Sequence, residues 1–386
     1  MVSAAGEMGG AERSLYELIQ AFPALRAGLC VCLPDKSTLF NLLRKDGIAV
    51  FPLPPFSLKR SKNPLTLAKQ FASLRHASRA LADLCTELQI DVMHANTDSA
   101  ALAAWGATRI ATRKTPFVWH CRDIRPLGRI GRMMPGAAAS VVAISSAVEK
   151  HLLAERVCPE KIRTIHNGID LARIRIGNAD SVRARVRKSL GISAKQPVLL
   201  CVGGYVPWKR HDLFMRTLAA LKTQFPTLTG VIAGSDQFNR NHAHVAELKT
   251  LARALCLPDG MLLELGERDD IPALMAAADV LVSCSENEPF GRVLVEAGAA
   301  GLPVVSAASG GKIEIVEHGV TGLLVEPGHA DLMADACRDL VLDPGLRKTM
   351  GRNAVLRTAQ LFDVRRAAKE LFSLLENAAR ANSENR

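Results

Sequence analysis

The chain has 386 residues, 48% of them hydrophobic, 23% charged and 4% aromatic, with a formal net charge of +11. Single cores stop growing near roughly 250 residues, so two domains are expected, and the composition excludes a disordered chain. The charge is uneven: residues 1–190 carry 28 Lys and Arg against 15 Asp and Glu, whereas residues 191–386 carry 21 against 23, so the first half is the one expected to meet an anionic partner.

In chain order, hydrophobic periodicity predicts a helix over 11–22, a strand over 29–33, a helix over 39–45 closed by Gly47, and a strand over 48–52. The basic, proline-rich stretch 52–64 reads as an exposed loop, and Pro64 after Asn63 starts a long helix to 88. Short buried strands follow at 91–94, 117–120 and 140–144. Residues 167–197 hold Gly168, Gly177 and the Arg-rich run 183–188 without a long apolar strand. The rhythm resumes with strands at 198–202, 230–233, 261–265, 280–283, 303–306 and 322–325, with a helix starting near Trp208 after the first. Such alternation implies parallel sheets covered on both faces, hence two doubly wound α/β domains that bind ligands at the carboxyl ends of their strands. The expected division is a first domain over 1–170, a linker over 171–196, a second domain over 197–362, and a C-terminal helix over 363–386 packing back on the first domain.

Nine cysteines are scattered without a Cys-x-x-Cys pair, which points to reduced thiols. No apolar run reaches the roughly 18 residues that span a bilayer, and residues 1–14 lack the apolar core of a signal peptide, so a cytoplasmic chain is expected.

The strongest chemical signal is Ser-Glu-Asn-Glu-Pro-Phe-Gly-Arg-Val-Leu-Val-Glu-Ala over 285–297. It places Glu288 just past a strand and Glu296 two turns into the next helix, where Glu288 and the backbone N–H groups of Phe290 and Gly291 can face a ligand and the helix N-terminus attracts phosphate. Taken alone, each glutamate reads equally well as a helix-capping or solvated carboxylate. The whole motif resembles the donor site of retaining glycosyltransferase family 4, the group 1 glycosyl transferases of GT-B fold, and the resemblance covers nearly the whole chain. It implies two Rossmann-like domains facing across a cleft, Glu288 accepting hydrogen bonds from donor-sugar hydroxyls near the reacting carbon, and Glu296 holding the ribose hydroxyls.

Further motifs match the same family. Over 201–210 a strand, a glycine turn and Lys209 correspond to the family's grip on the donor diphosphate, but Gly204 stands where the family has an arginine, and Arg210 is the candidate substitute. Charge stabilisation of this kind supplies a few kcal/mol. Gly9 and Gly10 precede a helix, where bare amides approach an anion closely. The resemblance makes this the loop over the donor diphosphate, and only residues 1–5 stand where the family carries an apolar first strand, so the start is expected to be truncated or misassigned. His120 and Arg122 end a buried strand; the family's histidine here contacts the donor sugar, while a lone histidine reads as structural. Asn167 and Gly168 make the turn out of the first domain. Lys312 and Glu314 follow Gly310 and Gly311, another phosphate-friendly turn, and Arg268 lies in a stretch that resembles the loop against the nucleotide base.

His242 and His244 have no cysteine nearby and no Asp-x-Asp occurs, so no metal site and a metal-independent reaction are expected. Arg122, Arg125, Arg129 and Arg132, with Lys59, Arg60 and Lys62, suit an anionic membrane or a phosphorylated acceptor, or else a plain solvated face. Nucleic acid is disfavoured, because aromatics are few and no recognition helix is evident. The resemblance thus implies a retaining transfer from a UDP- or GDP-linked sugar to a hydroxyl of a saccharide or lipid-linked acceptor, in cell-envelope or exopolysaccharide assembly. No cofactor beyond the donor is implied, and His120, Lys209 and Glu288 would act at the reacting centre. Two other readings stay open: a non-catalytic nucleotide-sugar-binding protein, favoured by Gly204 and the short start, and a nucleotide-sugar epimerase of the same fold. A dinucleotide-dependent oxidoreductase is disfavoured, since no Gly-x-Gly-x-x-Gly follows a strand.

Overall fold

The computed structural model describes residues 1–22, 28–56, 62–236 and 241–384, apart from the side chains of Arg129 and Ile130. Of the expected anion-binding residues, Lys59, Arg60 and the side chain of Arg129 therefore lie outside the described residues. The chain divides into two compact units, Met1–Gly168 with Val364–Arg386, and Ile169–Asp363.

The first unit contains strands β1 (Cys30–Leu33), β2 (Ala49–Pro52), β3 (Met93–Ala95), β4 (Phe117–Cys121), β5 (Ser140–Ala143) and β6 (Ile162–Thr164). β1 pairs with β2, and β3 to β6 pair in sequence order, all parallel. Residues 1–3 fill the gap between the two ladders: Val2 bridges Cys32 on one side and Ala95 on the other. Its amide donates to the His94 carbonyl at 2.7 Å, and its own carbonyl receives the Asn96 amide at 2.9 Å. The short apolar start thus stands where a first strand would. All five residues of β4 are buried, as expected of a parallel strand covered on both faces. Part of that cover is the C-terminal helix Val364–Glu384, whose Ala368, Leu371, Phe372 and Leu375 pack on Leu18, Val118 and Val142.

The second unit is one six-stranded parallel sheet. Its strands are β7 (Val198–Val202), β8 (Thr229–Ala233), β9 (Leu262–Glu264), β10 (Val280–Ser283), β11 (Val304–Ala307) and β12 (Gly322–Val325), ordered β12-β11-β10-β7-β8-β9. The order reverses beside β7, where a doubly wound sheet opens a crevice. Helices begin later than periodicity predicts after β7: Pro207–Lys209 is a 3-10 turn and Arg210 takes a left-handed backbone, φ +54°, so the next helix starts at His211.

One expectation is overturned. Residues 171–196 do not link two domains but belong to the second unit, where helix Ala179–Ser189 packs on helix Ile271–Ala277. The Arg-rich run reads as a polar linker in sequence because its anchoring contacts are polar. Arg187 is buried, donating to the carbonyls of Ala277, Ser193, Ala194 and Gln196 and to Asp279 Oδ2 at 2.8 Å. Arg183 reaches Asp279 Oδ1 at 2.7 Å, and Asp279 also accepts the Val198 amide that opens β7.

All nine cysteines are free. Among the described residues no helix is long and apolar enough to cross a membrane. Removing one partner of a buried ion pair leaves the other charge uncompensated, typically at a cost of 3–5 kcal/mol. Asp279→Ala should therefore lower the stability of the chain by about 3 kcal/mol in urea unfolding. An unchanged midpoint would mean that the arginines are held by the carbonyls alone.

Candidate functional site

In the second unit the chemistry gathers beyond β7, β10 and β11. After β7 the Gly203-Gly204 turn lies against Gly234, where an added Cβ would fall 1.9 Å from the Gly203 oxygen, so only glycine fits. His211 Nε2 donates to that same carbonyl at 3.2 Å. Burial lowers the imidazole's pKa to about 4, so the ring is neutral and acts as a brace for the turn. Lys209 stands at the end of the 3-10 turn, its Nζ 4.4 Å from the centre of the half-exposed Trp208 ring.

After β10 the chain turns back on itself and Glu288 meets Lys209, with Nζ to Oε1 at 2.8 Å. Ser285 Oγ donates to the other carboxylate oxygen at 2.6 Å. Beyond β11, Gly310 and Gly311 lie against the backbone of residues 288–290, where a Cβ on Gly310 would come within 2.1 Å of the Glu288 oxygen. That contact brings Lys312 underneath, fully buried, donating to the Ser285 carbonyl. Burial works against ionisation of Glu288, but Lys209, the two side-chain hydrogen bonds and Lys312 outweigh it, and the carboxyl is held below its ordinary value. Burial conversely lowers Lys312 to about 8, with Glu288 working against the shift. One carboxylate between two ammonium groups is what the site presents.

The other residues expected at the donor lie in the same unit, each in its own setting. Glu296 is buried on helix Arg292–Ala299, 3.4 Å from the guanidinium of Arg292. Gly291 caps that helix with φ +115°, and its Leu294 neighbour donates back to it. The Phe290 ring is core, edge-on to Phe362 at 5.7 Å. At Gly204 a Cβ would lie 3.2 Å from the Ser235 carbonyl oxygen, a tight contact. Arg210 is not a free second cation: it forks onto Asp212 at 2.9 and 3.1 Å and is paired with Glu286. Arg268 is exposed and paired with Asp270 at 2.8 Å.

In the first unit, His120 lies in a buried polar cluster that sequence reasoning did not foresee. Its Nδ1 is 3.0 Å from His94 Nε2 and 3.4 Å from Arg122 Nη2. Arg122 is itself buried, held by Asn96 Oδ1 from two nitrogens at 3.0 and 2.8 Å and by Asn167 Oδ1 at 2.6 Å. It thus leaves the expected surface run, which retains Arg125, Arg132 and Lys62 among the described residues. The signal that could have found the cluster is the position of His94 and Asn96 at the end of a short apolar strand, matching His120 and Arg122 one strand on. Gly9 is the N-cap of helix Gly10–Gln20 and Gly10 its first residue, but Glu12 folds its buried carboxylate back on the amides of Gly9 and of its own residue.

Two parallel α/β units of this build, with paired carboxylates and lysines beyond the strand ends of the second, define a GT-B glycosyltransferase architecture. Two family models match in succession, Glycosyltransferase Family 4 over residues 8–173 and Glycosyl transferases group 1 over 182–357, and the chain belongs to this glycosyltransferase family. Among solved structures it is similar to Anabaena HepE, in complex with UDP and glucose and with UDP-glucose, at 28% identity, with TM-scores of 0.82 and 0.81 and coverage of 97% of this chain and 98% of that one. A D-inositol 3-phosphate glycosyltransferase of Salinispora arenicola is 35% identical over 205 residues, 51% of this chain and 45% of that protein. An N-acetyl-alpha-D-glucosaminyl L-malate synthase of Bacillus anthracis is 27% identical over 82% of this chain and 77% of that one. The chain spans about half the length of the D-inositol 3-phosphate glycosyltransferases that it matches.

Lys312 supplies a pH signature of the site. With its folded pKa near 8 against 10.5 for an ordinary lysine, the unfolded chain binds more protons between those values, so stability must rise with pH across that window. The native protein should gain stability relative to Lys312→Met between pH 8 and 10.5, and the difference should be flat below pH 8. Parallel urea titrations of the two proteins at several pH values would show it; a constant difference throughout would place the ammonium in a more polar setting.

Proposed function

We propose that the chain is a retaining, metal-independent glycosyltransferase that moves a sugar from a nucleoside diphosphate to an acceptor hydroxyl. The observation that carries this reading is the Lys209–Glu288 pair beyond β7 and β10, with Lys312 beneath it. A donor diphosphate offers Lys209 an alternative anion, and charge that builds on the leaving phosphate in the transition state strengthens that contact. Glu288, released from Lys209 but still beside Lys312 and Ser285, stays ionised and accepts hydrogen bonds from hydroxyls of the transferred sugar. Glu296 accepts from the ribose hydroxyls, and His120 is given a hydrogen-bonding role toward a substrate oxygen. The acceptor hydroxyl attacks on the face from which the diphosphate leaves, so the donor's anomeric configuration is kept.

UDP is the favoured nucleotide, in keeping with the UDP and UDP-glucose complexes of Anabaena HepE. A saccharide or lipid-linked acceptor in envelope or exopolysaccharide assembly fits the excess of 28 Lys and Arg over 15 Asp and Glu in residues 1–190. Helix Pro64–Glu87 supports peripheral contact with an anionic membrane, because its first half exposes Leu65 and Phe71 beside Lys69 and Arg75.

Calorimetry without added metal should show micromolar binding of UDP in preference to GDP, weakened about tenfold or more in Glu296→Ala by loss of a charge-assisted hydrogen bond. Failure of both nucleotides to bind would sink the reading. Once an acceptor is in hand, product NMR should show the donor's configuration retained and turnover unaffected by EDTA; an inverted product rules out the mechanism. Co-sedimentation with phosphatidylglycerol vesicles, but not with phosphatidylcholine vesicles, would support the membrane contact, and equal recovery with both would remove it.

A further inference from the structure

The buried cluster around His120 determines where that ring carries its proton. A guanidinium can only donate, so Arg122 Nη2, 3.4 Å from His120 Nδ1, meets a nitrogen that must accept. His94 Nε2 approaches the same Nδ1 at 3.0 Å, and two bare nitrogens would repel, so His94 carries a proton on Nε2 and donates it. With Nδ1 bare, the neutral His120 ring has its proton on Nε2. The opposite tautomer, or a doubly protonated ring, would set an N–H against the Arg122 guanidinium, which cannot accept.

The donors are not free to adapt. Arg122 is pinned by Asn96 Oδ1 through Nε and Nη2 and by Asn167 Oδ1 through Nη1, and Asn96 in turn donates to the Ala11 carbonyl at 3.1 Å. His94 and His120 are fully buried on adjacent strands, their rings edge to face at 5.2 Å. Burial and the Arg122 charge both push the two rings well below the ordinary histidine range, so both are neutral at physiological pH. Among the described residues two buried ring nitrogens of the cluster then lack a partner: His94 Nδ1, which carries no proton, and His120 Nε2, which carries one. An unsatisfied buried N–H costs about 1–3 kcal/mol, and natural proteins leave few of them. His120 lines a small recess of mixed character, with Ser14, His166 and Asn167 beside the apolar Leu18, Ile165 and Ala367.

We propose that His94 and Arg122 are positioning residues that lock His120 in the Nε2–H tautomer, so that His120 offers a substrate oxygen a hydrogen-bond donor and never an acceptor or a base. This rests on the reading that His120 meets a substrate, and it deepens that reading by excluding proton abstraction by His120. The oxygen it serves is a lone-pair donor, such as a sugar hydroxyl or carbonyl oxygen.

The test uses the full chain labelled with 15N-histidine, with His120→Gln to assign the resonance. Long-range 1H–15N spectra at neutral pH should show His120 neutral with its proton on Nε2. In His94→Phe that signature should shift toward a tautomer mixture, and release of UDP from UDP-glucose should lose roughly ten- to a hundredfold in kcat, as expected when a reacting group is misoriented, while UDP affinity stays unchanged. His94→Gln, whose side-chain amide can donate from near the same place, should recover most of the rate. A proton on His120 Nδ1, a doubly protonated ring, or full kcat in folded His94→Phe would overturn the proposal. If UDP neither binds nor is released, the glycosyltransferase reading fails instead, and the spectrum of the unmodified protein still decides the tautomer.

Discussion

Parallel strands impose the constraint from which the rest of this molecule follows. Each strand must be covered on both faces and re-entered from the same end, so helices alternate with strands and every carboxyl end emerges on one edge of its sheet. In the second unit that edge collects Lys209 after β7, Ser285 and Glu288 after β10, and Lys312 after β11. In the first it collects His94 and Asn96 at β3, His120 and Arg122 at β4, and Asn167 shortly after β6. Residues up to 103 apart in sequence, Lys209 and Lys312, thereby flank one carboxylate.

The two units solve the burial of cations in different ways. The second sets the Glu288 carboxylate between Lys209 and Lys312, whose charges keep the carboxyl ionised against its burial. The first surrounds Arg122 with amide oxygens from Asn96 and Asn167, and its charge also acts on the buried Glu12 carboxylate. Burial drives the neighbouring histidines neutral, and the guanidinium charge, which neutral oxygens satisfy geometrically but do not cancel, adds to it. A compensated ion pair suits a site that exchanges one anion for another. A cation held in place by amide oxygens suits a site that needs fixed proton positions.

The departure from the family pattern at Gly204 takes its meaning from the same arithmetic of charges. Arg210, the neighbour in sequence best placed to substitute, spends its guanidinium on Asp212 and Glu286 and brackets the left-handed turn that starts the next helix. The additional positive charge near Glu288 comes instead from Lys312, which is remote in sequence and reaches the site because two glycines let its loop press against the Glu288 backbone. Trp208, ring to ammonium with Lys209, adds a face that the pattern of charges alone does not reveal.

Strand rhythm fixed much in advance. The periodicity and the short apolar runs located most strands within a residue or two, because a buried parallel strand must be apolar along its length. The spacing from Glu288 to Glu296 announced a strand-end carboxylate and a helix carboxylate, since helix geometry over two turns is local. What composition could not announce were contacts made of polar groups across long separations. Arginine-rich residues 183–188 looked like a linker, and only the fold sets Arg183 and Arg187 against Asp279. Likewise β6 was hidden because its three residues carry Arg163 and Thr164, and Arg122 looked like one of a basic surface run until the sheet brought Asn96 and Asn167 to it. Sequence by itself determined the fold class and the residues at the strand ends, because these depend on local hydrophobicity and spacing, and it carried the family through the resemblance of its motifs. Tertiary structure alone decided which charges are paired, which are buried and which nitrogen of His120 holds its proton, because those depend on hydrogen-bond partners that meet only after the sheets have formed.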